Sequence, residues 1–237
     1  LLGQNVDSYL WYGGGLKKDF TKASDLQKAT AVDFAALLDI CAKSQPKMRF
    51  RFSTSNPQDM ALDVIKTMAS HQNICNHVHL PVQSGSNRIL KEMNRQHSRE
   101  EYIDLVNNIK TIIPECTISQ DMICGFPTET EQDHQDTLSL MELIKYSFGF
   151  MYAYSERPGT TAERKLEDDV AFETKKRRLA EVVELQRAHG LYRTQQFINQ
   201  TVEILIEKES KKSSAEWSGR SAENTVAVFP KGSDKSG

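Results

Sequence analysis

The sequence predicts an α/β protein in which parallel strands form part of a (β/α) barrel, followed by a small antiparallel element. Three observations predict it. Short apolar strand patterns alternate with stretches of helical spacing, the order that folds as β/α units with right-handed crossovers. Each strand pattern ends in a polar or glycine-bearing loop, where such folds build their sites. Near residue 195 the apolar period changes from helical to two.

The elements follow in order. An apolar pair, Leu1-Leu2, ends in Gly3-Gln4-Asn5 and reads as the end of a first strand. Phe34, Leu37, Leu38 and Cys41 are spaced i, i+3, i+4, i+7 and predict a helix. "MRFRFS" alternates as a strand and closes on Ser53-Thr54-Ser55-Asn56-Pro57, where Asn56 suits a helix cap and Pro57 its first position. Ala61, Val64, Ile65 and Met68 form the inner stripe of that helix. "HVHLPV" then ends in Gln83-Ser84-Gly85-Ser86, and the next helix restarts at the capping box Ser98-Arg99-Glu100-Glu101. "ISQDMICG" runs into Phe126-Pro127-Thr128-Glu129-Thr130 and a helix through Leu138, Met141 and Ile144. The fifth strand pattern, "FGFMYAYS", ends at Glu156-Arg157-Pro158-Gly159-Thr160. An amphipathic helix is expected from Glu173 to Arg193, with Leu179, Val182, Val183 and Gln186 on one stripe. "TVEILIE" and "TVAVF" read as antiparallel strands around a polar segment, and "KGSDKSG" has the composition of a tail.

Composition excludes some classes. With 38% hydrophobic and 26% charged residues the chain can bury a large core. It has no apolar run of the roughly 18 residues needed to span a bilayer and no secretory pattern at its start, so a cytoplasmic setting without membrane contact is expected. The formal charge of −2 neither marks nor excludes a nucleic-acid binder.

Cys41, Cys75, Cys116 and Cys124 are too widely spaced for a zinc or iron–sulfur ligand set and are read as core thiols. His77 and His79 share one strand face, which suits either a metal pair or hydrogen-bonded strand residues; without a nearby carboxylate motif the second reading is preferred. Lys175-Lys176-Arg177-Arg178 is offset by Glu173, Glu181 and Glu184 and is read as a solvated helix face. A phosphate-handling or aldolase-type barrel would want a lysine or a carboxylate pair at strand ends, and only Glu129 and Glu156 qualify.

Four stretches, "LLGQNVDSY", "HLPVQSGSNRILKEMNR", "GFPTETEQD" and "YSERPGT", in this order and spacing, resemble the radical S-adenosylmethionine (SAM) methylthiotransferases. The "LPVQSGS" loop resembles the tRNA-modifying branch; the enzymes acting on ribosomal protein S12 usually carry a different version. The resemblance implies a three-part enzyme: a cluster-binding domain, a partial radical-SAM barrel, and a TRAM β-barrel that binds RNA. On that pattern residues 1–194 are the radical-SAM core with its long helix, expected to be truncated because the first domain and a CxxxCxxC loop are not among these residues. Residues 195–237 are the TRAM-like unit, expected to be truncated because the sequence stops at Gly237, short of the closing strands.

The implied cofactors are SAM and two 4Fe-4S clusters, whose ligands match no residue here, so no catalytic or metal-binding residue is assigned. The implied reaction inserts a methylthio group at C2 of N6-isopentenyladenosine at position 37 of tRNA, next to the anticodon. Alternatives are a methylthiotransferase for N6-threonylcarbamoyladenosine tRNA or protein S12, and a non-catalytic RNA-binding module. The implied partners are the anticodon stem-loop and an electron donor such as flavodoxin or ferredoxin, with the enzyme a monomer.

By position in the motifs, Gly3, Gln4 and Asn5 would meet the methionyl amino group of SAM, and Ser53 and Thr54 the ribose or carboxylate. Gln83 and Ser84 would do likewise, with Arg95 as charge partner for the carboxylate. Gly125, Phe126 and Pro127 would offer apolar backbone to adenine. Tyr152 and Tyr154 share a strand face, where either stacks on a base or fills core. Lys208, Lys211, Lys212, Trp217 and Arg220 are the candidate RNA contacts, cations for phosphates and an aromatic for an unpaired base.

Overall fold

The architecture comes from a computed structural model that describes residues 1–53 and 55–232. Thr54 and the last five residues of the expected tail lie outside the described residues.

A long loop opens the chain. It contains a 3-10 turn (Val6–Ser8), a two-residue strand β1 (Leu10–Trp11), a 3-10 helix (Lys17–Lys22) and the short helix α1 (Asp25–Ala29), and returns through β2 (Val32–Asp33), antiparallel to β1. Asp33 then caps α2 (Phe34–Ser44), its carboxylate accepting the Ala36 N–H at 2.8 Å. α3 (Leu62–Ser70) buries the expected Val64, Ile65 and Met68.

The central sheet is parallel in the order β3 (His77–His79), β4 (Thr117–Cys124), β5 (Phe148–Ala153). α4 (Asn87–Glu92) and α5 (Arg99–Ile112) connect the first pair, α6 (Glu131–Ile144) the second. The capping box on α5 forms as expected, between Ser98 and Glu101. α7 (Thr161–Lys165) and α8 (Phe172–Gln195) follow β5.

Two expected strands are not regular. "MRFRFS" pairs only through an isolated parallel bridge, Phe50 to Ile74. The register resumes where Ser55 donates its N–H to His79 at 3.2 Å, so this edge is an interrupted ladder. Leu1 extends it, donating to the Arg51 carbonyl at 2.7 Å and accepting from the Ser53 N–H at 3.2 Å. A second departure concerns Asn56: its side chain accepts the Gln58 N–H in a turn, and the helix starts later, at Leu62.

The sheet has two dissimilar faces because its strands alternate. Val78, Leu80, Ile118, Met122 and Cys124 pack under the helices with Leu38, Ile65, Met68, Tyr102, Val106, Ile109, Leu140 and Met141. Side chains of that size contribute roughly 1.5–3 kcal/mol each when fully buried. The opposite, inner face carries His77, His79, Ser119, Asp121, Phe148, Phe150 and Tyr152.

Beyond α8 the chain forms an open antiparallel sheet, β6 (Leu205–Glu209), β7 (Glu216–Arg220) and β8 (Val226–Pro230), with β7 central. The segment read as polar between two strands is therefore partly a strand itself. The bend after β7 seals the base of the barrel: Arg49 and Arg51 donate to the carbonyls of Arg220 and Ser221, and Thr117 donates to the Glu223 carbonyl at 2.6 Å.

The basic run at the start of α8 is also corrected. Lys175 and Arg178 are buried, with ion pairs to Asp168 and Glu129, whereas Lys176 and Arg177 face solvent. Helical spacing places positions 175 and 178 on the inner stripe, and acidic partners from other segments make their burial tolerable.

Candidate functional site

The carboxyl ends of the parallel strands open on one mouth, and most of the residues expected to hold SAM lie around it. Gly3 and Gln4 are exposed there. Asn5 donates to Asp59 at 2.6 Å, which leaves its buried Oδ1 without a partner. Two residues on, Asp7 is buried, with one oxygen accepting from Ser55 at 3.3 Å and Oδ2 unpaired. Burial pushes the Asp7 carboxyl up to about 6, against the pull of Ser55 and the Asn56 backbone. Sequence reasoning passed over Asp7; an aspartate two positions past the Gly3-Gln4-Asn5 turn was the available signal.

Gln83 takes a left-handed backbone, φ 73°, and its backbone bonds to Asp121 and Ile123 hold it at the end of the sheet. Its side-chain amide has no hydrogen-bond partner among the described residues. Arg95 lies in the same region with no ion pair among the described residues; burial lowers it from the ordinary arginine value, with Asp121 opposing. Both groups are therefore available to a ligand.

Ser84 has a different part. Fully buried, its hydroxyl lies 3.4 Å from Thr137 Oγ1 and accepts the Ser86 N–H at 3.2 Å. Gly85 donates to Thr137 at 2.9 Å and passes so close to α6 that a Cβ would stand 2.5 Å from the Asp136 carbonyl oxygen. Ser86 caps α4 and donates to Asp133 at 2.6 Å. The Gln83-Ser84-Gly85-Ser86 turn is thus nailed to α6, leaving Gln83 as its member with an unclaimed side chain.

The loop after β4 is held from the far side by α8. Gly125, at φ 71°, donates its N–H to Glu129 at 2.6 Å, and Arg178 binds both the Glu129 carboxylate and its carbonyl at 2.9 Å. Burial raises Glu129, while the Gly125 N–H and Arg178 pull it down. Lys175 packs where a Cβ on Gly125 would fall, reaches Asp168, and lies over the Tyr154 ring at 5.2 Å, which in turn meets Phe126 at 5.1 Å. Phe126 and Pro127 are buried, whereas Tyr152 and Phe150 are about half exposed on the inner face. Ser53 sits beside Leu1 on the interrupted edge.

Below the mouth the inner face is a hydrogen-bonded file. His77 Nδ1 meets Thr117 at 2.9 Å, Ser119 meets His77 Nε2 at 3.1 Å and His79 Nδ1 at 2.9 Å, and His79 Nε2 lies 3.5 Å from Asp121. Phe148 stacks on His77 at 5.2 Å, and burial drops the His77 imidazole to about 3. Hydrogen-bonded strand residues, the reading preferred over a metal pair, describe this arrangement.

In the C-terminal sheet, Lys208, Lys211 and Lys212 are exposed. Trp217 is half-buried beneath Lys231, 4.3 Å from its ring centroid, and Arg220 is paired with Glu207 at 2.6 Å. The three lysines are free of ion pairs among the described residues; Trp217 and Arg220 already have protein partners.

The residues at the mouth fit SAM. Its ammonium needs acceptors, and Asn5 Oδ1 and Asp7 Oδ2 are buried acceptors without partners. Its carboxylate needs a donor, and Arg95 and Gln83 are unclaimed. The cysteines do not fit a cluster. Cys75, Cys116 and Cys124 are buried, and burial pushes the last two up to about 12, far from the thiolate that iron binds. No group of three or more potential ligands occurs among the described residues.

Residues 24–141 match the Radical SAM superfamily. In fold, the chain resembles coproporphyrinogen III oxidase of Escherichia coli, with a TM-score of 0.50 at 20% identity over 72% of this chain and 38% of that one. The class is thus an α/β protein on a radical-SAM scaffold. The tRNA-2-methylthio-N(6)-dimethylallyladenosine synthase of Christiangramia forsetii is 70% identical over 98% of this chain, and that of Flavobacterium johnsoniae 65% over 100%. The chain belongs to the radical SAM methylthiotransferase family. It spans about half the length of these relatives, 48% and 49% respectively.

Proposed function

We propose that this chain supplies the SAM-binding and part of the RNA-binding surface of a tRNA methylthiotransferase that modifies C2 of N6-isopentenyladenosine at position 37. The observation that carries the reading is the 70% identity, across nearly the whole chain, to a relative named for that product. The free groups at the mouth support it. Asn5 and Asp7 accept from the SAM ammonium, Gln4 adds an acceptor at the exposed rim, and Gln83 and Arg95 meet the carboxylate. Gly125, Phe126 and Pro127, fixed by Glu129, Arg178 and Lys175, present backbone to the adenine. When bound, SAM supplies the hydrogen-abstracting power and the methyl group. The residues described here bind and orient it.

Residues 1–194 form the SAM-binding core in this reading, and residues 195–237 an RNA-binding unit with Lys208, Lys211 and Lys212 as its phosphate contacts. The anticodon stem-loop is the RNA partner, an acidic electron carrier of the flavodoxin or ferredoxin kind is the redox partner, and the enzyme acts as a monomer in the cytoplasm. Among the described residues no helix is long and apolar enough to cross a membrane.

The test is calorimetric titration of the chain with SAM, and filter binding of an isopentenylated anticodon stem-loop across a salt series. Micromolar binding of SAM is expected. Replacing Lys208, Lys211 and Lys212 by alanine should weaken RNA binding and reduce the slope of log K against log salt by about 0.7 for each phosphate of single-stranded RNA that is no longer neutralised. RNA affinity and slope unchanged in the triple variant would remove these lysines from the interface.

A further inference from the structure

The long β-to-α loop that opens the chain has no part in the SAM pocket beyond Asn5 and Asp7, yet it is a built element at the rim of the mouth. It leaves the end of the first strand segment at Asn5 and returns to the start of α2 at Asp33, so topology places it at the mouth. Asn5 and Lys17 both bind Asp59, in the turn that follows the neighbouring strand segment, which ties the loop to the rim.

Its inside and outside differ sharply. Tyr12 is buried, meets the Phe20 ring at 5.2 Å in a tilted arrangement and donates its hydroxyl to the Leu16 carbonyl at 2.8 Å, closing a turn made of Gly13, Gly14 and Gly15. All three glycines have φ between 92° and 120°, a backbone that other residues rarely adopt. Around this pinned turn three large side chains are exposed, Trp11 by 52%, Leu16 by 61% and Tyr9 by 40%. Trp11 is held on a strand, paired with Val32, so it is displayed rather than loose.

Charge selects the occupant. Residues 9–22 contain Lys17, Lys18 and Lys22 against Asp19 alone, a local excess of +2 (3 − 1) in a chain whose net charge is −2. Lys18 and Lys22 are exposed and form no ion pair among the described residues. A strand-held aromatic on the same loop as unpaired cations suits an unpaired base and its flanking phosphates.

We propose that this loop is an RNA contact of the barrel rim, in which Trp11 stacks on an unpaired base of the substrate and Lys18 and Lys22 hold its phosphates. The proposal deepens the functional reading and rests on RNA being the substrate. It gives the chain a second RNA surface, at the opposite end of the barrel from the C-terminal sheet, which seals the base.

The experiment uses the chain with Trp217→Phe, so that Trp11 is the sole tryptophan, and titrates it with an anticodon stem-loop RNA and with a fully paired duplex of equal length. Quenching of Trp11 emission is expected with the stem-loop and not with the duplex. Trp11→Ala should weaken stem-loop binding about 10-fold, and Trp11→Phe should restore most of it. Lys18→Ala/Lys22→Ala should lower the salt slope by about 1.4. If the wild-type chain binds the stem-loop and these variants bind it equally well, the inference is overturned and the tRNA reading stands. If the wild-type chain binds no stem-loop, the tRNA reading fails and takes the inference with it. Equal losses for stem-loop and duplex in Trp11→Ala would also overturn it, since a paired base offers no free face to stack on.

Discussion

Asp7 shows how a single side chain can mark a site. Its carboxyl is buried with one oxygen unpaired, and its folded value of about 6 stands well above its ordinary 3.8. A raised carboxyl favours the protonated fold, so this cost is absent below about pH 4, grows through the interval to 6, and is complete above it. Its upper size is about 3 kcal/mol. Asp7→Asn is therefore expected to raise the melting temperature at pH 7 and to leave it unchanged at pH 4, measured by thermal denaturation at the two values. A cation bound beside Asp7 would relieve the same cost. Gln83 makes a complementary case. Its side chain contributes no hydrogen bond to the fold, so Gln83→Ala should cost about 1–3 kcal/mol of SAM binding while shifting the melting temperature little. Calorimetry beside a melting curve checks this; a collapse of the fold with Gln83→Ala would make the residue structural.

Among the elements, the loop after β4 depends on α8. Arg178 and Glu129 are both buried, so removing one charge strands the other, at about 3–5 kcal/mol. Arg178→Met should therefore destabilise strongly and weaken SAM binding, and Glu129→Gln added to it should recover part of the stability, as urea denaturation of the two variants would show. How far such elements could be read from sequence follows from where their partners lie. The capping box of α5 and most of the stripes of α2 and α3 are local patterns that formed: Phe34 and Leu38 are buried on α2 and Val64, Ile65 and Met68 on α3. Cys41, expected in the core, is only half-buried, and Ala61 is the exposed cap of α3 rather than part of its stripe. "MRFRFS" carried a clean period of two, but its pairing depends on residues 73–79 and its arginines serve the base, so the ladder is broken. Lys175 and Arg178 looked solvated because Asp168 and Glu129 are remote in spacing or loop position. The mouth was legible as a set of loop motifs, whereas which member of each motif keeps a free side chain, Gln83 and not Ser84, depended on the approach of α6.

For the molecule as a whole, the C-terminal sheet is both an RNA-binding candidate and the floor of the barrel. Sequence periodicity suggested two separable units, but Arg49, Arg51 and Thr117 all direct donors to carbonyls between 220 and 223, and Ser221 is fully buried. Ending the chain at Gln195 is therefore expected to lower the melting temperature by several degrees and to expose apolar surface, read as increased dye binding, rather than to leave an intact core. A melting curve identical to the full chain would show that the floor is dispensable. The same floor sets a timetable for biosynthesis. Arg49 and Arg51 meet partners 171 and 170 positions later in the chain, so the barrel's strands leave the ribosome with their base open and stay so until those distant partners have emerged. Until then the nascent chain carries two guanidiniums awaiting their carbonyls and an incomplete parallel sheet edge, and a holding chaperone would find its target there.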